Sequence, residues 1–229
     1  MVKCIVFDMD DTLYDEIDYY RSAFLVVGRI VEADFGLADK TVFKILWEIF
    51  NSGNHTNTFD AAAEKLGVVF DREYMEKLVN VFRNHNPDIN LPSESGMVLE
   101  DLKSRYILGL ITDGYLPAQE LKVKALGLEK YFDCILYTEK LGSQFWKPLP
   151  KAFEKLLARL VVSADQSVCV GDNLEKDFLA PNQMGFKTIR VVRKKRIHFG
   201  KAPSAQAQPH YEIDSIAKLP DLLKEINGV

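Results

Sequence analysis

The chain has 229 residues, 47% of them hydrophobic and 27% charged, an ordinary balance for a globular protein with room for one sizeable core and a smaller companion. Its net charge of −4 argues against non-specific nucleic-acid binding as the main task, and no apolar run approaches the roughly 20 residues needed to cross a bilayer. A strand begins almost at residue 1, so no signal peptide is expected, and Cys4, Cys134 and Cys169 each sit in an apolar run. Both features suit a reducing, cytoplasmic setting rather than a disulfide framework or a zinc site.

The first element is KCIVF (3–7), an apolar run that reads as a buried strand. It leads straight into FDMDDTLYDE (7–16), which gathers Asp8, Asp10 and Asp11 at a strand end, where their repulsion is costly unless something positive sits there. From there the pattern is helical. Val26, Val27, Ile30 and Val31 form one stripe, and Val42, Phe43, Ile45, Leu46 and Ile49 form another. AAAEKLG (61–67) and YMEKLVNVF (74–82) continue in the same style. Residues 15–89 are therefore expected to form an all-helical insert, with Asp15 and Glu16 opening its first helix and Trp47 in its core. PDINLPSESG (87–96) reads as the link back.

Beyond it, YILGLIT (106–112), CILY (134–137), SVCVG (167–171) and KTIRVV (187–192) read as strands buried on both faces. Helical stretches lie between them, around 117–126, 150–160 and 175–184. Strand and helix in alternation predict an α/β fold: a doubly wound, Rossmann-like parallel sheet built from residues 1–14 and 90–229.

In such a sheet the ligand site lies beyond the carboxyl ends of the strands. The first strand ends in Asp8-Met9-Asp10, the second in Thr112-Asp113-Gly114, and the strand at 167–171 in Gly171-Asp172-Asn173, with Asp177 shortly after. Three acidic ends converging on one edge call for a hard cation. Oxygen ligands favour Mg2+, and His55, His85, His198 and His210 show no zinc spacing. The expected metal is Mg2+, held by Asp8 and Asp172.

The ordered set Asp8-x-Asp10-x-Thr12, Thr112, Lys147-Pro148 and Gly171-Asp172-x4-Asp177 resembles the haloacid dehalogenase-like hydrolases, specifically their phosphatase branch, many of which carry a helical cap after the first motif. The resemblance spans the sheet region. It implies Asp8 as the nucleophile and Asp10 as acid and then base, with the Asp10 backbone carbonyl on the metal. It implies that Thr112 and the amide of Asp113 hold phosphate oxygens and that Lys147 neutralises charge on the transferring group. Asp172 would bind Mg2+ directly, with Asp177 and Asn173 supporting the ion indirectly. The implied activity is Mg2+-dependent hydrolysis of a small phosphorylated metabolite, a phosphosugar or nucleotide, through an aspartyl-phosphate, by a monomer or homodimer. Dehalogenases lack an acid at the position of Asp10, so its presence favours phosphate chemistry. A phosphosugar mutase uses the same residues, and a phospho-aspartate signalling receiver gathers similar ones around Mg2+ in a single small domain.

Two positions depart from the family pattern. Asp113 stands where Asn often follows the Thr, and LGSQFWKP (141–148) brings Trp146 directly before the lysine. Both bear on substrate contacts. Tyr14, Tyr19, Tyr20 and Arg21 lie where the insert begins, and RVVRKKRIH (190–198) reads as a solvated strand exit at the same sheet edge.

Overall fold

A computed structural model describes residues 1–228, which divide into two compact units: Met1–Ile17 with the chain from Asn90 onward, and Asp18–Ile89. In the first unit, strands β1 (Cys4–Phe7), β2 (Ile107–Thr112), β3 (Cys134–Tyr137), β4 (Ser167–Gly171), β5 (Lys187–Val191) and β6 (Tyr211–Ile213) form one sheet. Its order is β3-β2-β1-β4-β5-β6, and every pairing is parallel. The chain steps outward from β1 in both directions, so the order reverses between β1 and β4. That is where a doubly wound sheet opens its ligand crevice.

All four side chains of β1 are essentially inaccessible, as expected of a central strand covered on both faces. Cys4 and Val6 join Ile111, Leu136, Phe153, Leu156, Cys169 and Phe186 in one apolar cluster. The cysteines are free thiols; burial pushes Cys4 up to about 12 and Cys169 well above the usual range, so both behave as small apolar residues. Register then sets the site. Phe7 pairs with Leu110 on one side and Val170 on the other, which brings the ends of β1, β2 and β4 to one edge.

The helices of this unit are α5 (Ser93–Lys103), α6 (Ala118–Ala125), α7 (Lys151–Leu160), α8 (Leu179–Met184) and α9 (Leu219–Asn227). The second unit holds α2 (Asp39–Asn51), α3 (Thr58–Leu66), α4 (Arg72–Asn84) and nearly all of α1 (Ile17–Phe35). Phe24 meets Phe50, Phe59 and Phe82 within its core, and Tyr19 and Tyr20 pack on Phe82. Phe43, Trp47 and Phe50 stack in turn along α2, and Phe43 and Trp47 are only half-buried. Among the described residues no helix is long and apolar enough to cross a membrane.

Several expectations need correcting. The link at 87–96 is shorter than its composition implies, because Ser93 already begins α5. The stretch 175–184 is helical only from Leu179, so Asp177 lies in the preceding turn rather than on a helix. Helix α1 begins at Ile17, and the carboxylates of Asp15 and Glu16 just ahead of it are engaged by distant partners. Asp15 pairs with Arg193 at 2.5 Å, and Glu16 is buried against Lys122. The run 190–198 is not uniformly solvated either: Arg190 donates to the Asp172 carbonyl at 2.9 Å, and the Arg193 side chain is only 10% exposed.

Candidate active site

Asp8 follows the last residue of β1, anchored by its amide to the Val170 carbonyl at 2.9 Å. Its carboxylate is nearly buried. Oδ1 accepts from Lys147 Nζ at 2.5 Å and Oδ2 from the Thr12 hydroxyl at 3.3 Å. Burial pushes its pKa up to about 6, against the pull of Lys147 and with the push of Asp177 and Asp10. The turn that follows depends on Asp11, which adopts a left-handed φ of 52°. The Asp11 carboxylate fixes that turn by accepting from the amides of Glu16 and Ile197 at 2.9 and 2.7 Å.

Lys147 is also inaccessible, and its ammonium bridges Asp8 and Asp177 Oδ1, the latter at 2.7 Å. Despite the burial, the carboxylates of Asp177, Asp8 and Asp113 hold its pKa well above the ordinary value, so it stays charged. Asp177 is fully engaged: Oδ2 accepts from the amides of Asp172 and Asn173 at 3.2 and 2.8 Å. Burial works against its charge, yet Lys147, Lys176 and the Asn173 amide keep its pKa below the usual carboxylate value.

Asp172 differs. It is buried at the end of β4, and among the described residues its Oδ2 has no hydrogen-bond partner. Burial, followed by the charges of Asp177 and Asp8, drives its pKa well above the carboxylate range. Ligand oxygens of Asp8, Asp172 and Asp177 lie within 4.8 Å of one another. Three buried carboxylates outnumber the two lysines whose charge reaches them, Lys147 and Lys176, and the donor set is oxygen only. An orphaned carboxylate oxygen in such a set fits a hard divalent cation.

Asp10 stands apart from that triad. Tyr14 and Lys122 donate to its Oδ1 at 2.6 and 2.9 Å, and Gln119 Nε2 donates to Oδ2 at 3.1 Å. Thr112 ends β2 fully buried, and its hydroxyl donates to Gln119 Oε1 at 3.0 Å rather than capping α6. Asp113 turns one carboxylate oxygen to the Lys147 amide at 3.1 Å, while its other is buried without a partner among the described residues. Asn173 accepts from the Glu175 amide at 2.9 Å.

Sequence reasoning missed three polar contributors. Gln119 and Lys122 rise from α6, and Lys176, between Asp172 and Asp177, adds positive charge felt by Asp8, Asp172 and Asp177. The first two carried one legible signal. They share the buried side of α6 with Ala118 and Val123, and a buried lysine needs a carboxylate partner.

A parallel sheet with a lysine-bridged carboxylate cluster at its switch point defines a Rossmann-like hydrolase core. A family model described as haloacid dehalogenase-like hydrolase matches residues 2–185, and the chain belongs to that family of hydrolases. It is 26% identical to a glyceraldehyde 3-phosphate phosphatase from Methanopyrus kandleri, over 99% of each chain. It is also 26% identical to an N-acylneuraminate-9-phosphatase from Mus musculus, over 99% of this chain and 95% of that one. Among solved structures, a 2-haloacid dehalogenase from Pseudomonas syringae pv. Tomato DC3000 superposes with a TM-score of 0.66 at 27% identity, covering 99% of this chain and 100% of the other.

Proposed function

We propose that this hydrolase is a Mg2+-dependent phosphatase of small phosphomonoesters, phosphosugars before nucleotides, working through an aspartyl-phosphate on Asp8. The observation that carries the reading is the anchored carboxylate of Asp10, two residues beyond the lysine-paired Asp8. A dehalogenase has no use for an acid there, whereas a phosphomonoester needs one to release its alcohol. The named relatives that act on phosphorylated sugars and sugar-like metabolites support the choice of substrate.

In this reading an Asp8 oxygen attacks phosphorus as the bond from phosphorus to the alcohol oxygen breaks, and Asp10 passes its proton to that leaving oxygen. Water then attacks the phosphoryl group, giving a proton back to Asp10. The bond from Asp8 to phosphorus breaks, inorganic phosphate leaves, and both aspartates are restored. Lys147 offsets the repulsion between Asp8 and the incoming dianion. Thr112 and the Asp113 amide hold phosphate oxygens. Asp8, Asp172 and the Asp10 carbonyl would hold Mg2+, with Asp177 and Asn173 behind them, and the ion would supply the positive charge that the carboxylates and phosphate require. Residues 15–89 serve as the cap that selects the alcohol.

The test is phosphate release from a panel of phosphomonoesters. Turnover should require Mg2+ and vanish in Asp8→Asn; wild-type turnover in that variant would sink the mechanism.

A further inference from the structure

From the two α6 side chains on Asp10, we infer that Lys122, assisted by Gln119, is a positioning residue that dedicates Asp10 Oδ1 to anchorage and leaves Oδ2 to carry the proton to the departing alcohol. The inference rests on the phosphatase reading and adds a residue to it.

Lys122 is 2% exposed, and its ammonium lies 2.9 Å from Asp10 Oδ1 and 3.2 Å from Glu16 Oε1. A buried ammonium so placed is a fixed point rather than a mobile surface charge. Tyr14 hydroxyl adds a second donor to the same Asp10 oxygen at 2.6 Å. An oxygen that accepts from an ammonium and a phenol is held as an acceptor. Oδ2 accepts only the Gln119 amide among the hydrogen bonds of the described residues, at 3.1 Å. That amide is oriented by its other contacts: Oε1 accepts from Thr112 hydroxyl at 3.0 Å, and Nε2 also donates to the Asp113 carbonyl at 3.0 Å. One turn of α6 thus ties the acid–base residue on the β1 loop to the phosphate-holding residues at the end of β2. Glu16 completes the arrangement. Lys122 and His198 hold its pKa down at about 2 despite burial, so it remains a fixed counter-charge that keeps Lys122 in place.

The role predicts a dependence on leaving group that a merely structural lysine would not produce. An alkyl phosphate must receive a proton as its bond to phosphorus breaks; p-nitrophenyl phosphate releases a stable phenolate and needs almost none. The ratio kcat/KM reports events only up to phosphorylation of Asp8, so the later use of Asp10 as base does not blur the comparison.

The experiment measures kcat/KM of the Mg2+-loaded enzyme for glycerol phosphate and for p-nitrophenyl phosphate, in wild type and Lys122→Met. The expected result is a loss of ~10²-fold or more on the alkyl ester and under about fivefold on the aryl ester. Equal losses on both esters, or no loss on either, would overturn the inference. Should Lys122→Met fail to fold, Lys122→Met with Glu16→Gln removes the stranded buried charge and must show the same selective loss. A wild-type enzyme that turns over neither ester would refute the phosphatase reading itself, an outcome distinct from an unchanged selectivity ratio.

Discussion

Gly171, the last residue of β4, offers a one-atom test of the site. A Cβ at this position would lie 2.6 Å from Asp177 Oδ2, 2.8 Å from its Cγ and 2.9 Å from its Cβ. The backbone itself does not demand glycine, because Gly171 is not among the residues with positive φ. The obstacle is the carboxylate. To restore ordinary contact Asp177 must withdraw by about 0.8 Å or more. Its bonds to Lys147 at 2.7 Å and to the amides of Asp172 and Asn173 at 3.2 and 2.8 Å cannot all survive that movement. Overpacking costs ~1–3 kcal/mol, and weakening one charge-assisted hydrogen bond costs ~1.5–3 kcal/mol. Against these, alanine restricts the unfolded chain and returns ~0.4–1 kcal/mol. Gly171→Ala should therefore lose about 1.5–5.5 kcal/mol in urea unfolding, and turnover of p-nitrophenyl phosphate should fall by ~10²-fold as Lys147 is displaced from Asp8. Gly109→Ala is the control. Its Cβ would meet Leu156 Cδ2 at the same 2.6 Å, but that is the end of an apolar side chain. Stability should drop there while turnover stays within about twofold. If Gly171→Ala keeps wild-type turnover, or Gly109→Ala loses as much, the pinned Asp177 is not what the site depends on.

Two further outcomes follow from the charges of the cluster. Lys147→Met strands Asp8 and Asp177 in a buried setting and should cost ~3–5 kcal/mol in urea unfolding without divalent cation; added Mg2+ should narrow that deficit, and an unchanged deficit would count against cation binding by these carboxylates. The second concerns pH. Asp8 has its pKa raised to about 6, and burial raises Asp172 as well. Raised carboxyls bind protons in the folded state, so for Asp8 the cost of ionisation is absent below pH ~4, grows as pH rises through 6, and is complete above it. Cation binding needs the ionised forms and relieves that cost. At about 100-fold excess over its dissociation constant, Mg2+ should contribute ~2.7 kcal/mol near pH 7.5. That corresponds to a rise in Tm of ~5–10 °C for a chain of this size. Near pH ~5 protons compete and the rise should shrink to a small fraction; equal shifts at both pH values would refute proton–metal competition at this cluster.

The sheet was legible in the sequence because its strands are short, apolar on both faces, and separated by helices of recognisable period. CILY and SVCVG were bounded to the residue. Strand β6 escaped notice because Tyr211-Glu212-Ile213 is an edge strand of three residues, two of them exposed, and carries no pattern of burial. Helix α5 was hidden behind a composition rich in Pro and Ser, since the residues that suggest a link also begin a helix at Pro92-Ser93. Asp15 and Glu16 were read incompletely for a different reason. Acidic residues ahead of a helix invite a dipole argument worth a few tenths of a kcal/mol. Long-range partners, Arg193 for one and Lys122 with His198 for the other, outweigh it.

The candidate site divides along the same line. Residues at strand ends could be placed together because topology dictates where strand ends go, which covers Asp8, Thr112, Asp172 and their neighbours. Lys122 and Gln119 project from a helix flank, and nothing about a helix says which strand loop its side faces. What the sequence did contain was a contradiction. Ala118 and Val123 place one side of α6 against the core, and Gln119 and Lys122 occupy that same buried side. A chain tolerates a lysine there only if an acid meets it. Asking which carboxylates that lysine serves leads to Asp10 and Glu16. The question needs only a helix period and the cost of burying a charge, so a polar pair on the buried flank of the helix after the second strand is a signal that can be sought before any coordinates exist.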